Sequence, residues 1–112
     1  MTETAVVDAY FAAIRARDAD TLRELFTPDA ELISQAGTFV GPDAIAGFYR
    51  DVAFKVDDLW PEPGPLLVQG ERVAVEIRLR MAGNVTLVAD VFTLAGGRIR
   101  RLAIYTGPAA TG

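Results

Sequence analysis

Val73, Val75, Ile77, Leu79 and Met81 alternate without a break with Ala74, Glu76, Arg78 and Arg80. Successive side chains on a strand point to opposite faces, so this stretch reads as one long strand with a packed face and a wetter face. Gly83-Asn84 turns the chain, and Val85 to Leu94 is then apolar at nearly every position. That predicts a second long strand covered on both sides. Gly96-Gly97 is a hairpin signal. Arg98 to Thr106 reads as the last strand, and Gly107 to Gly112 as a loose tail. A hairpin-linked sheet of this kind must lay its apolar face against something, and the first half of the chain supplies it.

Val7, Tyr10, Phe11 and Ile14 fall at i, i+3, i+4 and i+7, which is one face of a helix over roughly residues 3–17. Asp18 suits an N-cap, predicting a short second helix with Leu22, Leu25 and Phe26 inward and Thr27-Pro28-Asp29 as its stop. A short strand is expected from Ala30 to Ser34. Gly41-Pro42 reads as a cap with proline at the first helical position. Ile45, Phe48, Tyr49 and Val52 then repeat the helical spacing. Trp60-Pro61-Glu62-Pro63-Gly64-Pro65 holds three prolines, which forbid a central strand, so regular sheet is expected only from about Leu66. Gln69-Gly70-Glu71 is a turn. Helices gathered in one half and hairpin-linked strands in the other mean an α+β domain. A curved sheet wrapped around the first helix would leave a conical pocket between them.

The chain has 112 residues, 51% of them apolar and 23% charged, which fits one globular domain over residues 1–112. Histidine and cysteine are both absent. Their absence excludes a Ser-His-Asp triad, a cysteine nucleophile, a disulfide and the usual zinc and iron–sulfur sites. Any chemistry must rest on carboxylates, Tyr, Ser/Thr, Lys/Arg and backbone dipoles. No metal and no cofactor are expected; Asp57-Asp58 is read as a surface acidic pair. The net charge of −4 disfavours nucleic acid and anionic membrane as partners. The opening Met1-Thr2-Glu3-Thr4 lacks the basic start of a secretory leader, and no apolar run is long enough to span a bilayer. The expectation is a cytoplasmic protein.

Asp90 is out of place. Its same-face neighbours in the apolar strand are Val88 and Phe92. An ionised carboxylate there is costly to desolvate, and its pKa should rise. Two readings remain open: a structural one, in which it bonds a backbone turn or pairs with Arg78 or Arg80 on the adjacent strand, and a functional one, in which it faces a polar cavity. Tyr10, on the buried face of the first helix, needs a partner for its hydroxyl.

Val6-Val7-Asp8-Ala9-Tyr10-Phe11-Ala12-Ala13-Ile14, Leu25-Phe26-Thr27-Pro28-Asp29-Ala30 and Gly41-Pro42-Asp43-Ala44-Ile45-Ala46-Gly47-Phe48-Tyr49 resemble the nuclear transport factor 2-like superfamily. The nearest branches are the ketosteroid isomerases and the SnoaL-like polyketide cyclases. The resemblance spans roughly residues 3–107. It implies a cone of three N-terminal helices packed on a strongly curved antiparallel sheet that encloses a pocket, and a homodimer paired through the outer sheet face. It also implies roles. Tyr10 matches the tyrosine that hydrogen-bonds a developing enolate, and Asp90 the aspartic acid kept neutral by apolar surroundings that gives the second bond. Where the isomerases carry an aspartate base, the count from Asp29-Ala30 reaches Ser34, which cannot by itself take a proton from carbon. The implied ligand is a small hydrophobic carbonyl compound, bound by Ser34, Phe26, Phe48, Tyr49, Trp60, Val88 and Phe92, with Tyr10 and Asp90 catalytic. Enolate stabilisation, in an isomerase- or cyclase-like proton transfer, is one reading. A non-catalytic hydrophobic-ligand module is the other.

Overall fold

A computed structural model describes residues 2–110. Helix α1 covers Glu3–Ala16 and buries Val6, Val7, Tyr10, Phe11, Ala13 and Ile14. The Thr2 hydroxyl caps it by accepting from the Ala5 N–H. It ends at Arg17, which takes the left-handed conformation at φ 54°, so that the N–H groups of Arg17 and Asp18 return to the Ile14 and Ala13 carbonyls. Helix α2 covers Ala19–Leu25, capped by the Asp18 carboxylate, which accepts from the Thr21 N–H. Helix α3 covers Pro42–Asp51 and enters through Gly41 at φ 89°, a backbone angle that favours glycine. A single 3-10 turn, Ala53–Lys55, follows.

The strands are β1 (Phe26–Ser34), β2 (Gly37–Val40), β3 (Trp60–Pro63), β4 (Leu67–Gln69), β5 (Arg72–Met81), β6 (Asn84–Ala95) and β7 (Arg98–Ala109). They form one sheet in the order β2-β1-β7-β6-β5-β3, with β4 also on β5. Every pairing is antiparallel except β1 with β7, which is parallel. That parallel contact brings the N-terminal half of the chain onto the C-terminal hairpins. Register shifts at Thr86/Val88 and Thr93/Leu94 interrupt the β6–β7 ladder. Shifts of this kind bend and twist a sheet locally. The core lies between the helices and the inner sheet face, where Phe26, Phe92, Leu22, Leu32, Ile45, Ile99 and Leu102 are the largest fully buried side chains.

Several local expectations are corrected. Helix α2 stops at Leu25, and Phe26 begins β1 opposite Ile99. Pro28 is tolerated within the strand because the β1–β7 register is irregular between Phe26 and Glu31. After Ser34 the chain turns back as β2, which pairs with β1 in a hairpin that the sequence reading had not placed. After α3 the sheet resumes at Trp60, not near Leu66: Trp60–Pro63 pairs with β5 as the outermost strand, where a missing N–H costs little. Gly107 to Ala109 belong to β7 rather than a tail, and residues 111–112 of that expected tail lie outside the described residues.

Gly107 has a packing reason. A Cβ there would stand 2.9 Å from the Leu87 carbonyl oxygen on β6. Gly107→Ala should therefore lower stability by about 1–3 kcal/mol, the usual cost of forcing atoms into a packed site. Equilibrium urea unfolding should show a lower midpoint with an unchanged slope.

Candidate active site

The inward row of β6 is Val88, Asp90, Phe92 and Leu94. Asp90 therefore points into the molecule by strand parity alone. Its partners across the ladder are Val75 on β5 and Ile104 on β7. The carboxyl group is thus ringed by aliphatic and aromatic carbon, and the residue is 3% exposed. Its Oδ1 is buried with no hydrogen-bond partner. Burial pushes the Asp90 pKa up from 3.8 to about 7. Arg78 and Arg80 do not relieve it. They alternate with Ile77 and Leu79, whose side chains face the cavity, and so they lie on the other side of the sheet.

Tyr10 comes from α1 and Tyr49 from α3. Their hydroxyls hydrogen-bond to each other in the interior. Burial is the main force holding both phenols above their ordinary pKa, and the nearby Asp90 charge adds to it in each. Both stay protonated across the physiological range, as neutral hydrogen-bond donors. The acid and the hydroxyl pair belong to one locus, since all three side chains line the same cavity.

That locus opens on a cavity of about 430 Å³ with a largely apolar wall. Tyr10, Ser34, Phe48, Tyr49, Val88 and Asp90 all line it. Phe26, Trp60 and Phe92, expected among the ligand-binding residues, do not. Phe26 sits at the start of β1, fully packed in the core opposite Ile99. Phe92 lies behind Tyr10, its ring edge-on to Tyr10 at 5.3 Å and to Phe11 at 6.1 Å. Trp60 is 43% exposed, with the Arg15 guanidinium 5.8 Å from its ring centre; its neighbour Pro61 faces the cavity instead.

Ser34 is engaged in the β1–β2 turn. Its hydroxyl oxygen accepts from the Ala36 N–H at 3.1 Å and donates weakly to the Gly37 carbonyl. No carboxylate other than Asp90 lines the cavity among the described residues.

Part of the wall went unanticipated. Phe11 and Ile14 line the cavity beside Tyr10, and their place on the same helical face was a usable signal. Ala53, Val56 and Leu59 also line it, from a segment with almost no periodicity to read. Two side chains hold this segment. The Arg17 guanidinium donates to the carbonyls of Phe54, Val56 and Asp57 at 2.9, 3.1 and 2.8 Å. The Asp58 carboxylate accepts from the Ala82 and Gly83 N–H groups at 2.7 and 2.8 Å, joining the segment to the β5–β6 turn.

A model of the SnoaL-like domain matches residues 7–102. The chain belongs to the SnoaL-like family. No curated protein matches it in sequence. Among solved structures, a candidate polyketide cyclase from Sinorhizobium meliloti is 28% identical, with a TM-score of 0.79 over 93% of this chain and 99% of that one. A candidate ketosteroid isomerase from Kribbella flavida has a TM-score of 0.85 at 17% identity, covering 98% and 81% of the two chains. An NTF2-like protein from Cytophaga hutchinsonii gives 0.83 at 15% identity, covering 96% and 92%. This SnoaL-like chain therefore has the NTF2-like fold. No helix among its described residues is long and apolar enough to cross a membrane.

The raised Asp90 pKa has a thermodynamic consequence. Below pH 3.8 the group is protonated in folded and unfolded chains alike and costs nothing by this route. As pH rises from there to about 7, the unfolded chain ionises while the folded chain resists, and stability falls. Above about 7 the loss is complete. Asp90→Asn should remove this decline, so the variant gains on the wild type by a few kcal/mol between acidic and neutral pH. Urea unfolding across that range measures the difference directly.

Proposed function

We propose that the cavity binds a hydrophobic carbonyl compound and moves a proton on it. The observation that carries this reading is the buried Asp90 carboxyl on the wall of the same cavity as the Tyr10–Tyr49 hydroxyl pair. In the first step ionised Asp90 takes a proton from the carbon next to the carbonyl. The C–H bonding pair moves into the carbonyl group, and the oxygen becomes an enolate. A phenolic O–H then donates to that oxygen, and the hydroxyl pair lets one phenol donate while supporting the other. In the second step Asp90 returns the proton to the far carbon of a conjugated dienolate, which shifts the double bond, or the enolate carbon attacks a second carbonyl within the same molecule and the alkoxide so formed takes the proton from Asp90. Isomerisation and ring closure differ only in this step.

Two features support the assignment of roles. A base works best with a pKa near the working pH, and burial brings Asp90 to about 7. Donors fixed in an apolar site stabilise developing charge far better than water does, because they need not reorganise. The SnoaL-like family membership and the cyclase- and isomerase-type neighbours agree with this chemistry. Ser34 is no obstacle on this reading, because the base is Asp90.

A second reading follows from Ser34 itself. The position the isomerases give to their base holds a hydroxyl tied into a turn, so a binding module without turnover is the alternative.

A panel of ketosteroids and polyketide-like ketones separates the two. On the enzyme reading, Asp90→Asn abolishes turnover, and kcat/KM rises with pH through about 7 as the base ionises. Tyr10→Phe and Tyr49→Phe each cost about 100- to 1000-fold, the range for losing an oxyanion donor. The double variant should cost much less than the product of the two, because the hydroxyls act as a pair. Unchanged rates in Tyr10→Phe would defeat the assignment. Tight ligand binding with no turnover across the panel would establish the module.

A further inference from the structure

The cavity wall carries an unusual set of charges for a ligand site. Among the described residues that line it there is no Lys and no Arg. Its titratable groups are Asp90 on β6, Tyr10 on α1 and Tyr49 on α3. The strands on either side of Asp90 present Val75, Ile77 and Ile104 toward the interior, with Thr106 beyond. An anionic head group here would face a carboxylate and find no cation. A positive one would find a counter-ion in the Asp90 carboxylate, which lines the cavity with no cation beside it.

The aromatic part of the wall points the same way. Phe11, Tyr10, Tyr49 and Phe48 line the cavity and form one continuous chain of rings. The centroid separations along it are 5.1, 6.2 and 5.4 Å, and each pair meets edge to face. Ring faces attract cations through their quadrupole, and more strongly where water is excluded. The volume of about 430 Å³ suits a two-ring ligand.

We infer that the cavity is a receptor for a hydrophobic tertiary amine in its ammonium form. The single N–H of that ion donates to the Asp90 carboxylate. Its alkyl groups lie against Tyr10, Tyr49 and Phe48, and its apolar body fills the space toward Ile77 and Leu79. Such an amine is also an inhibitor of any reaction in the cavity, since it occupies the Asp90 locus. Recognition uses the acid's charge and requires no turnover.

Proton linkage gives the complex a signature. The ligand is ammonium from acidic pH to about 9, and the two phenols remain neutral throughout that range. The ammonium pairs with ionised Asp90, so below about pH 7 binding must release the carboxyl proton. Affinity should be flat between about pH 7 and 9 and fall as the pH drops, approaching tenfold per unit.

The test uses the purified full chain with N,N-dimethyl-naphthylmethylamine and its uncharged carbon analogue, isobutylnaphthalene. Naphthalene fluorescence reports binding of both. At pH 8 the amine should bind the wild type roughly tenfold or more tighter than the analogue. In Asp90→Asn that advantage should disappear while the analogue binds as before, which also reports that the cavity is intact. In the wild type the amine alone should weaken on acidification. Equal affinities for the two ligands, an amine advantage that survives Asp90→Asn, or an amine profile flat below pH 7 would each overturn the inference. The readout is binding, so a protein that turns over no ketone still gives a decisive result.

Discussion

Asp90 is buried among apolar side chains, and its Oδ1 gains no hydrogen bond from the protein. Val88 and Phe92 flank it along β6, Val75 and Ile104 across the ladder, and its Oδ1 has no donor. A carboxyl group in such a place resists ionisation, and the molecule bears that cost at neutral pH. The arrangement persists because the twelve-residue strand that holds it is locked on both sides by long antiparallel ladders. A shift of one residue would turn Asp90 to the outer face, but it would also expose Val88, Phe92 and Leu94. The burial of those three side chains therefore fixes the direction of the acid.

The rest of the site follows from what is packed over that acid. Helix α1 lays Tyr10 against Phe92, and α3 brings Tyr49 onto Tyr10, so the two buried phenols hydrogen-bond to each other. Another part of the wall is the stretch after α3, which holds one 3-10 turn. Arg17 and Asp58 secure it from opposite sides through backbone carbonyls and N–H groups. Arg17 does this from a left-handed backbone, which also ends α1. One residue thus stops a helix and anchors a cavity wall.

Much of this was legible in the residues. The strict alternation from Val73 to Met81 gave β5 and its facing, and the spacing of Val7, Tyr10, Phe11 and Ile14 gave the buried face of α1. Asp90 announced itself as a charge among apolar neighbours. Less was legible where one pattern serves two geometries. Phe92 shares strand parity with Asp90 and was expected in the cavity, but parity names a face and not a depth, and Tyr10 stands in front of it. Trp60 and Pro61 differ by one position, and only pairing with Arg80 and Leu79 settled which faces inward. The proline run read as a break in the sheet because the rule against proline concerns strands paired on both sides, and β3 is outermost.

Local sequence by itself determined the types and faces of the long strands and helices, and the presence of one acid among apolar neighbours in a chain with no histidine or cysteine. These depend on periodicity and composition, which act over a few residues. Tertiary structure alone decided that β1 would run parallel to β7, that Tyr49 would be the partner of Tyr10 across 39 residues of chain, and that Asp90 would face a cavity rather than an arginine. Each of those outcomes is a contact between distant segments. Such contacts are set by how all the apolar faces close on one another at once, and no short window of residues contains that information.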